Sequence, residues 1–206
     1  KPFIAKLNNG DVGVIVGNGY NSDTHRAELF IIDINDGSLI KKIDTKVGLD
    51  TDTNGLGSPK GWDEDSDGTL DYVYAGDLHG NVWKFDLTAT SENSWKSAFK
   101  SGPDPQPFFS ARNGANERQP ITGGISIGIN SIQSDPNFGK RFVFFGTGKY
   151  LEASDPADTQ IQSWYGLIDD DDVVDGRTDL VERSIVAQGL HAGVPVRAFG
   201  KASAND

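Results

Sequence analysis

Nine residues, Asp63 to Asp71 (D-E-D-S-D-G-T-L-D), set carboxylates at alternate positions around a glycine. Asp63, Asp65 and Asp67 stand at positions 1, 3 and 5 of an EF-hand-type calcium loop. Gly68 takes position 6, where the backbone turns sharply, Thr69 offers its carbonyl at position 7, and Asp71 takes position 9. A hard cation such as calcium takes about six to eight oxygens at about 2.3–2.6 Å. Alternate residues of a tight loop point inward, leaving Glu64, Ser66 and Leu70 to point away. Two carboxylates about 4 Å apart repel by roughly 4 kcal/mol at an effective dielectric near 20, and four converge here. The loop therefore binds a divalent cation, expected to be Ca2+, or it splays open. The bidentate Glu of position 12 is missing, because Tyr74 stands there. That argues against a tight, helix-moving EF-hand.

The residues that follow do not read as a helix. DYVYAGD and VWKFDL are rich in aromatic and β-branched residues, with Leu78-His79-Gly80-Asn81 as a turn between them. The loop is thus a clip leading into a β-hairpin, with strands expected near 71–77 and 81–87. Further strands are expected at 12–17, 28–34 and 38–43, the last two joined by the turn Asn35-Asp36-Gly37. SWKSAF (94–99) reads as a fourth strand of the hairpin's unit, and the Pro- and Asn-rich stretch up to Gln119 as a long surface loop. A last unit takes strands at 125–132, 141–147, 163–168 and 180–187.

GVIVGNGY (13–20), DYVYAGDL (71–78) and FVFFGTGK (142–149) each end an apolar run in glycine, and each precedes a later apolar or aromatic strand. This repetition predicts an all-β chain of β-propeller blades, about three of them (1–46, 47–117 and 118–190), plus a C-terminal tail that crosses toward a further blade. Residues 1–206 are read as part of a single domain. Three blades do not close a ring, so the chain is expected to be a fragment of a larger, quinoprotein-like propeller. A β-sandwich is the alternative.

The run WDEDSDGTLDYVYAGDLHGNVWKFDLT (62–88), with NGLGSP (54–59), RQPIT (118–122), RFVFFGTGKYLE (141–152) and SWYGLIDD (163–170), resembles the C-terminal propeller of the PilY/PilC-type pilus biogenesis and adhesion factors of type IV pili. The resemblance spans about residues 47–187, with its motifs in order; the glycine-rich ITGGISIGI after RQPIT departs from the pattern. It implies a non-enzymatic, calcium-binding propeller acting in type IV pilus biogenesis, twitching motility and surface adhesion. It also implies that the ligands are Asp63, Asp65, Asp67, the Thr69 carbonyl and Asp71. The implied partners are pilus subunits (minor pilins) and host or abiotic surfaces. The implied location is extracellular: the bacterial cell surface, the pilus tip or the outer membrane.

Composition narrows the alternatives. A net charge of −11 disfavours nucleic acid and anionic membrane as partners. The absence of cysteine excludes Cys-ligated zinc, thiol nucleophiles and disulfides. No apolar run approaches the roughly 18 residues of a membrane span. Asp50, Asp52, Asn54 and Ser58 repeat calcium-loop spacing around Gly55, and are read either as a second cation site or as an Asx-rich turn. His25, His79 and His191 are assigned structural or solvent-facing roles. Trp62, Trp83, Trp95 and Trp164 are read as packing between blades, and Asp169–Asp172 as a solvated loop. The remaining functional alternatives are a purely structural calcium site in an extracellular binding propeller and an enzyme of quinoprotein or glycosidase type.

Overall fold

In the computed structural model, residues 1–200 are described. The chain is all-β, and its first sheet is a four-stranded antiparallel meander. It comprises β1 (Phe3–Lys6), β2 (Val12–Gly17), β3 (Glu28–Asp33) and β4 (Leu39–Asp44) in sequence order. The second sheet is built on β5 (Lys60–Trp62), β6 (Tyr72–Gly76) and β7 (Asn81–Asp86). The outer edge of β7 is completed by two short pieces, β8 (Lys96–Ser97) and, beyond the small hairpin β9 (Phe99–Ser101) and β10 (Asp104–Gln106), β11 (Phe109–Ser110). The third sheet holds β12 (Ser126–Ile129), β13 (Arg141–Gly146) and β14 (Trp164–Asp169).

The sheets stack face to face, and the alternation of side chains along each strand decides what meets what. Val73 and Ala75 of β6, with Trp83 and Phe85 of β7, pack against Ile15, Leu29 and Ile31 of the first sheet. Tyr74 and Val82 project from the opposite face and join Val143, Phe145, Tyr165 and Leu167 of the third. The second sheet is therefore covered on both sides, which is why YVYAG and VWKF read as continuous apolar runs. Asp77, wholly buried at the β6–β7 turn, accepts from Asn81 N, Asn81 Nδ2, Asn54 Nδ2 and Trp83 Nε1 at 2.8–2.9 Å. It ties the turn to the segment that leads in from the first sheet.

That segment passes very close to β2. A Cβ on Gly17 would lie 2.4 Å from Gly57 O and 2.5 Å from Leu56 O. Backbone carbonyls cannot rotate away, so Gly17→Ala is expected to lower unfolding stability by about 1–3 kcal/mol in urea titration.

Three expectations are corrected. Residues 180–187 do not supply a fourth strand to the third sheet. β15 (Ile185–His191) pairs instead with β16 (Val194–Phe199) in an exposed hairpin, because the turn Ala192-Gly193, with both residues at positive φ, folds the two runs onto each other. The tail from Gly189 holds the end of β15, the turn and β16; its end, residues 201–206, lies outside the described residues. The stretch after Phe99 is not all surface loop, since Phe108, Phe109 and Ala111 are fully buried as β11 docks on β7. Trp83 and Trp95 are core and Trp62 is half-buried, but Trp164 is 68% exposed. It stacks on Phe144 at 5.5 Å, and Phe144 on Phe142 at 5.9 Å, along the open face of the third sheet.

Candidate metal centre

The acidic loop joins β5 to β6. Trp62 pairs with Tyr72 across those strands, so the ends of the loop are held in register and residues 63–71 must double back. Positive φ at Ser66 (63°) and Gly68 (88°) makes the reversal, without a helix. Gly68 N donates to Asp63 Oδ2 at 2.9 Å, closing the loop on its first ligand position.

Carboxylate oxygens of Asp63, Asp65 and Asp71 lie within 4.8 Å of one another. Asp71 is buried and accepts from Glu64 N at 2.8 Å. Asp63 Oδ1 is shielded from solvent and has no hydrogen-bond partner among the described residues. A buried carboxylate oxygen without a donor is costly, and a hard cation seated among the three acids satisfies it. The donor set is all oxygen, which suits calcium or magnesium over softer metals. Of the five expected ligands, the structure brings these three carboxylates together. Asp67 is turned toward Thr69 and accepts from its N at 2.7 Å and its Oγ1 at 2.6 Å. Those contacts hold the exposed Asp67 carboxyl below the usual carboxylate range, with the Thr69 hydroxyl the larger cause. Tyr74, at the twelfth position, is fully buried and takes no part.

Comparison with known proteins decides the family. A family model described as the PilY1 beta-propeller domain matches residues 1–191. The chain belongs to the PilY1 β-propeller family. It is 41% identical over 197 residues to a type IV pilus biogenesis factor PilY1 homolog of Xylella fastidiosa (strain Temecula1 / ATCC 700964), covering 91% of this chain and 13% of the relative. It is 40% identical over 187 residues to type IV pilus biogenesis factor PilY1 of Pseudomonas aeruginosa (strain UCBPP-PA14), covering 82% of this chain and 16% of that one. The crystal structure of the Pseudomonas aeruginosa PilY1 C-terminal domain superposes with a TM-score of 0.83 at 32% identity, over 98% of this chain and 45% of that one. The three stacked sheets are therefore propeller blades, and the chain spans about a sixth or less of the PilY1 relatives' length.

Loop spacing identifies none of the residues that anchor this PilY1-family loop on its neighbours. Asn8, in the β1–β2 turn, reaches it from the first sheet: its Nδ2 lies 3.1 Å from each of Leu70 O, Asp71 Oδ1 and Leu87 O, and its Oδ1 lies 3.0 Å from Thr69 Oγ1. From the other side Glu64 accepts from Trp62 Nε1 at 2.6 Å and from Arg141 Nη1 of β13. Arg141 belongs to a buried ion cluster between the second and third sheets. Its Nη2 lies 3.1 Å from Asp169 Oδ2, and Lys84 Nζ lies 3.0 Å from the same oxygen and 2.6 Å from Asp171 Oδ1. Tyr74 donates its hydroxyl to Asp169, and both cations sit over the Tyr72 ring. Burial raises the Tyr74 hydroxyl far above its ordinary range, with the Asp169 charge adding to it.

The reading of Asp169–Asp172 as a solvated loop holds for the exposed Asp170, Asp171 and Asp172 but is corrected for Asp169, whose side chain is fully buried because β14 alternation turns it toward Lys84. Two residues of the second candidate segment are engaged by other partners. Asp52 pairs with Arg118 Nη1 at 2.8 Å and with His79 Nε2 at 3.2 Å, and Asn54 is buried against Asp77. These partners all lie outside residues 50–58, which favours the Asx-rich turn over a second cation site. His79 is buried and packs its ring on that turn, with Nε2 3.2 Å from Thr53 O.

Proposed function

We propose that this chain is the calcium-binding part of a type IV pilus biogenesis factor that works at the bacterial cell surface, with pilus subunits as its partners. The observation that carries the metal reading is Asp63 Oδ1, buried and partnerless beside Asp65 and Asp71. Calcium is chosen over magnesium because the loop spacing is that of a calcium loop, and magnesium demands stricter octahedral geometry. In this reading Asp63, Asp65 and Asp71 hold the ion, with Asp67 and the Thr69 carbonyl completing its shell. The ion neutralises the acids and fixes the entry to β6. The absent Glu at position 12 favours a weak site, in keeping with extracellular calcium modules at about 10⁻⁴–10⁻³ M. Twitching motility and surface adhesion follow as the processes that such a factor serves; no catalytic role is assigned.

Isothermal titration of the chain with calcium is expected to show one site in that range, with magnesium much weaker. A flat titration at millimolar calcium overturns the reading. A second reading, a structural ion that never leaves, is favoured by the anchoring of the loop on both neighbouring sheets through Asn8 and Arg141. Titrating pilus-dependent motility against calcium separates the two. A regulatory ion changes the output across the physiological range, and a structural one leaves it flat.

A further inference from the structure

We infer that Asn8 is a positioning residue for the cation and couples cation binding to the docking of the first sheet. This inference rests on the calcium reading above. Asn8 lies 55 residues before the first acid of the loop, in a turn that no calcium-loop pattern includes. Its amide nevertheless holds one oxygen of Asp71 at 3.1 Å while the Glu64 amide holds the other at 2.8 Å. Both hydrogen bonds orient the carboxylate before any ion arrives. The Asn8 carbonyl oxygen also lies 3.0 Å from Thr69 Oγ1, whose one proton is directed to Asp67 Oδ1 at 2.6 Å. The same turn is joined to the loop by backbone, since Leu70 N donates to Lys6 O at 2.9 Å. Leu7 and Leu70 are both buried in the core between the first and second sheets.

An ion bound by Asp71 therefore favours the arrangement in which the β1–β2 turn is seated, and a seated turn favours the ion. The coupling is reciprocal by thermodynamic necessity. Asn8 is not itself a ligand of the ion; it acts through Asp71.

The test compares the parent chain with Asn8→Ala by calcium calorimetry and by melting with calcium and with chelator. Loss of a hydrogen bond to a charged ligand is expected to weaken calcium binding about tenfold, equivalent to about 1.4 kcal/mol. The calcium-induced rise in Tm is expected to shrink with it, whereas a merely structural role lowers Tm equally in calcium and in chelator. A second measurement uses the parent alone. Calcium is expected to slow hydrogen exchange at the Leu7 and Gly10 amides, which close the β1–β2 turn, as well as within residues 63–71. Slowing confined to the loop overturns the proposal. So does parent-like calcium affinity in Asn8→Ala, however far its Tm falls. A parent chain that binds no calcium overturns the calcium reading and this proposal together.

Discussion

Asp169→Asn is expected to lower unfolding stability by about 3–5 kcal/mol, the range for breaking a buried ion cluster by removing one partner. The magnitude follows from what stays behind. Lys84 and Arg141 have side chains 2% and 5% exposed, and both point at the Asp169 carboxylate. With its charge gone, their remaining acidic partners are Asp171 and Glu64, with side chains 71% and 52% exposed. Solvent screens those pairs, and exposed ion pairs contribute at most about 1 kcal/mol. The asparagine amide would also point donors at cations. Urea denaturation monitored through the buried tryptophans measures the loss; a change within about 0.5 kcal/mol, the range of a surface substitution, sinks the account of the cluster.

The same residue sets a pH dependence. Burial alone would raise the Asp169 carboxyl, but the Tyr74 hydroxyl, Lys84 and Arg141 outweigh it and hold it below the ordinary carboxylate range. A folded-state value below the unfolded one adds stability that is fully present above the unfolded value. That stability is lost as pH falls through the folded value. The parent should therefore lose stability on acidification below the ordinary carboxylate range, and Asp169→Asn should lose less over the same interval.

The second large effect is on the ion. Asp63→Ala combined with Asp71→Ala is expected to abolish calcium binding while the chain stays folded. Two of the three converging carboxylates disappear, and the one left, Asp65, is exposed. Two terms oppose each other in the cation-free protein. Losing Asp63 and Asp71 removes acceptors for Gly68 N, Glu64 N and Asn8 Nδ2, each worth about 1 kcal/mol. Removing like charges relieves repulsion of the same order. Stability in chelator should therefore shift little. In calcium the difference opens, because only the parent gains the binding term, about 2.7 kcal/mol at one hundred times Kd. Melting both proteins with and without calcium, beside calorimetry, measures it. Parent-like calcium heat in the double variant would mean that the ion is held elsewhere.

The convergence of Asp63, Asp65 and Asp71 around Gly68 could be read directly from the chain because a tight loop is local geometry. Alternate residues of a tight turn face one point wherever the turn is placed. The strands at 12–17, 72–76, 81–86 and 141–146 were legible for a related reason, since covered sheets force long apolar runs bounded by glycine, asparagine or aspartate. Periodicity does not say which neighbour covers a face. That is why Asp169 and Lys84 look like ordinary solvated charges in sequence, and why Trp164 looks like core. Asp169 is buried because the third sheet lays β14 over β7, and Trp164 is exposed because its alternation points to the other side.

Short alternating patterns thus set the strands and the acid spacing, since both depend only on neighbours along the backbone. Stacking of the sheets decided the rest. It brought Asn8 beneath the loop from 55 residues upstream, and Arg141 against it from 70 residues beyond its last acid. Contacts of that span arise from shape and burial between sheets, which no local pattern encodes.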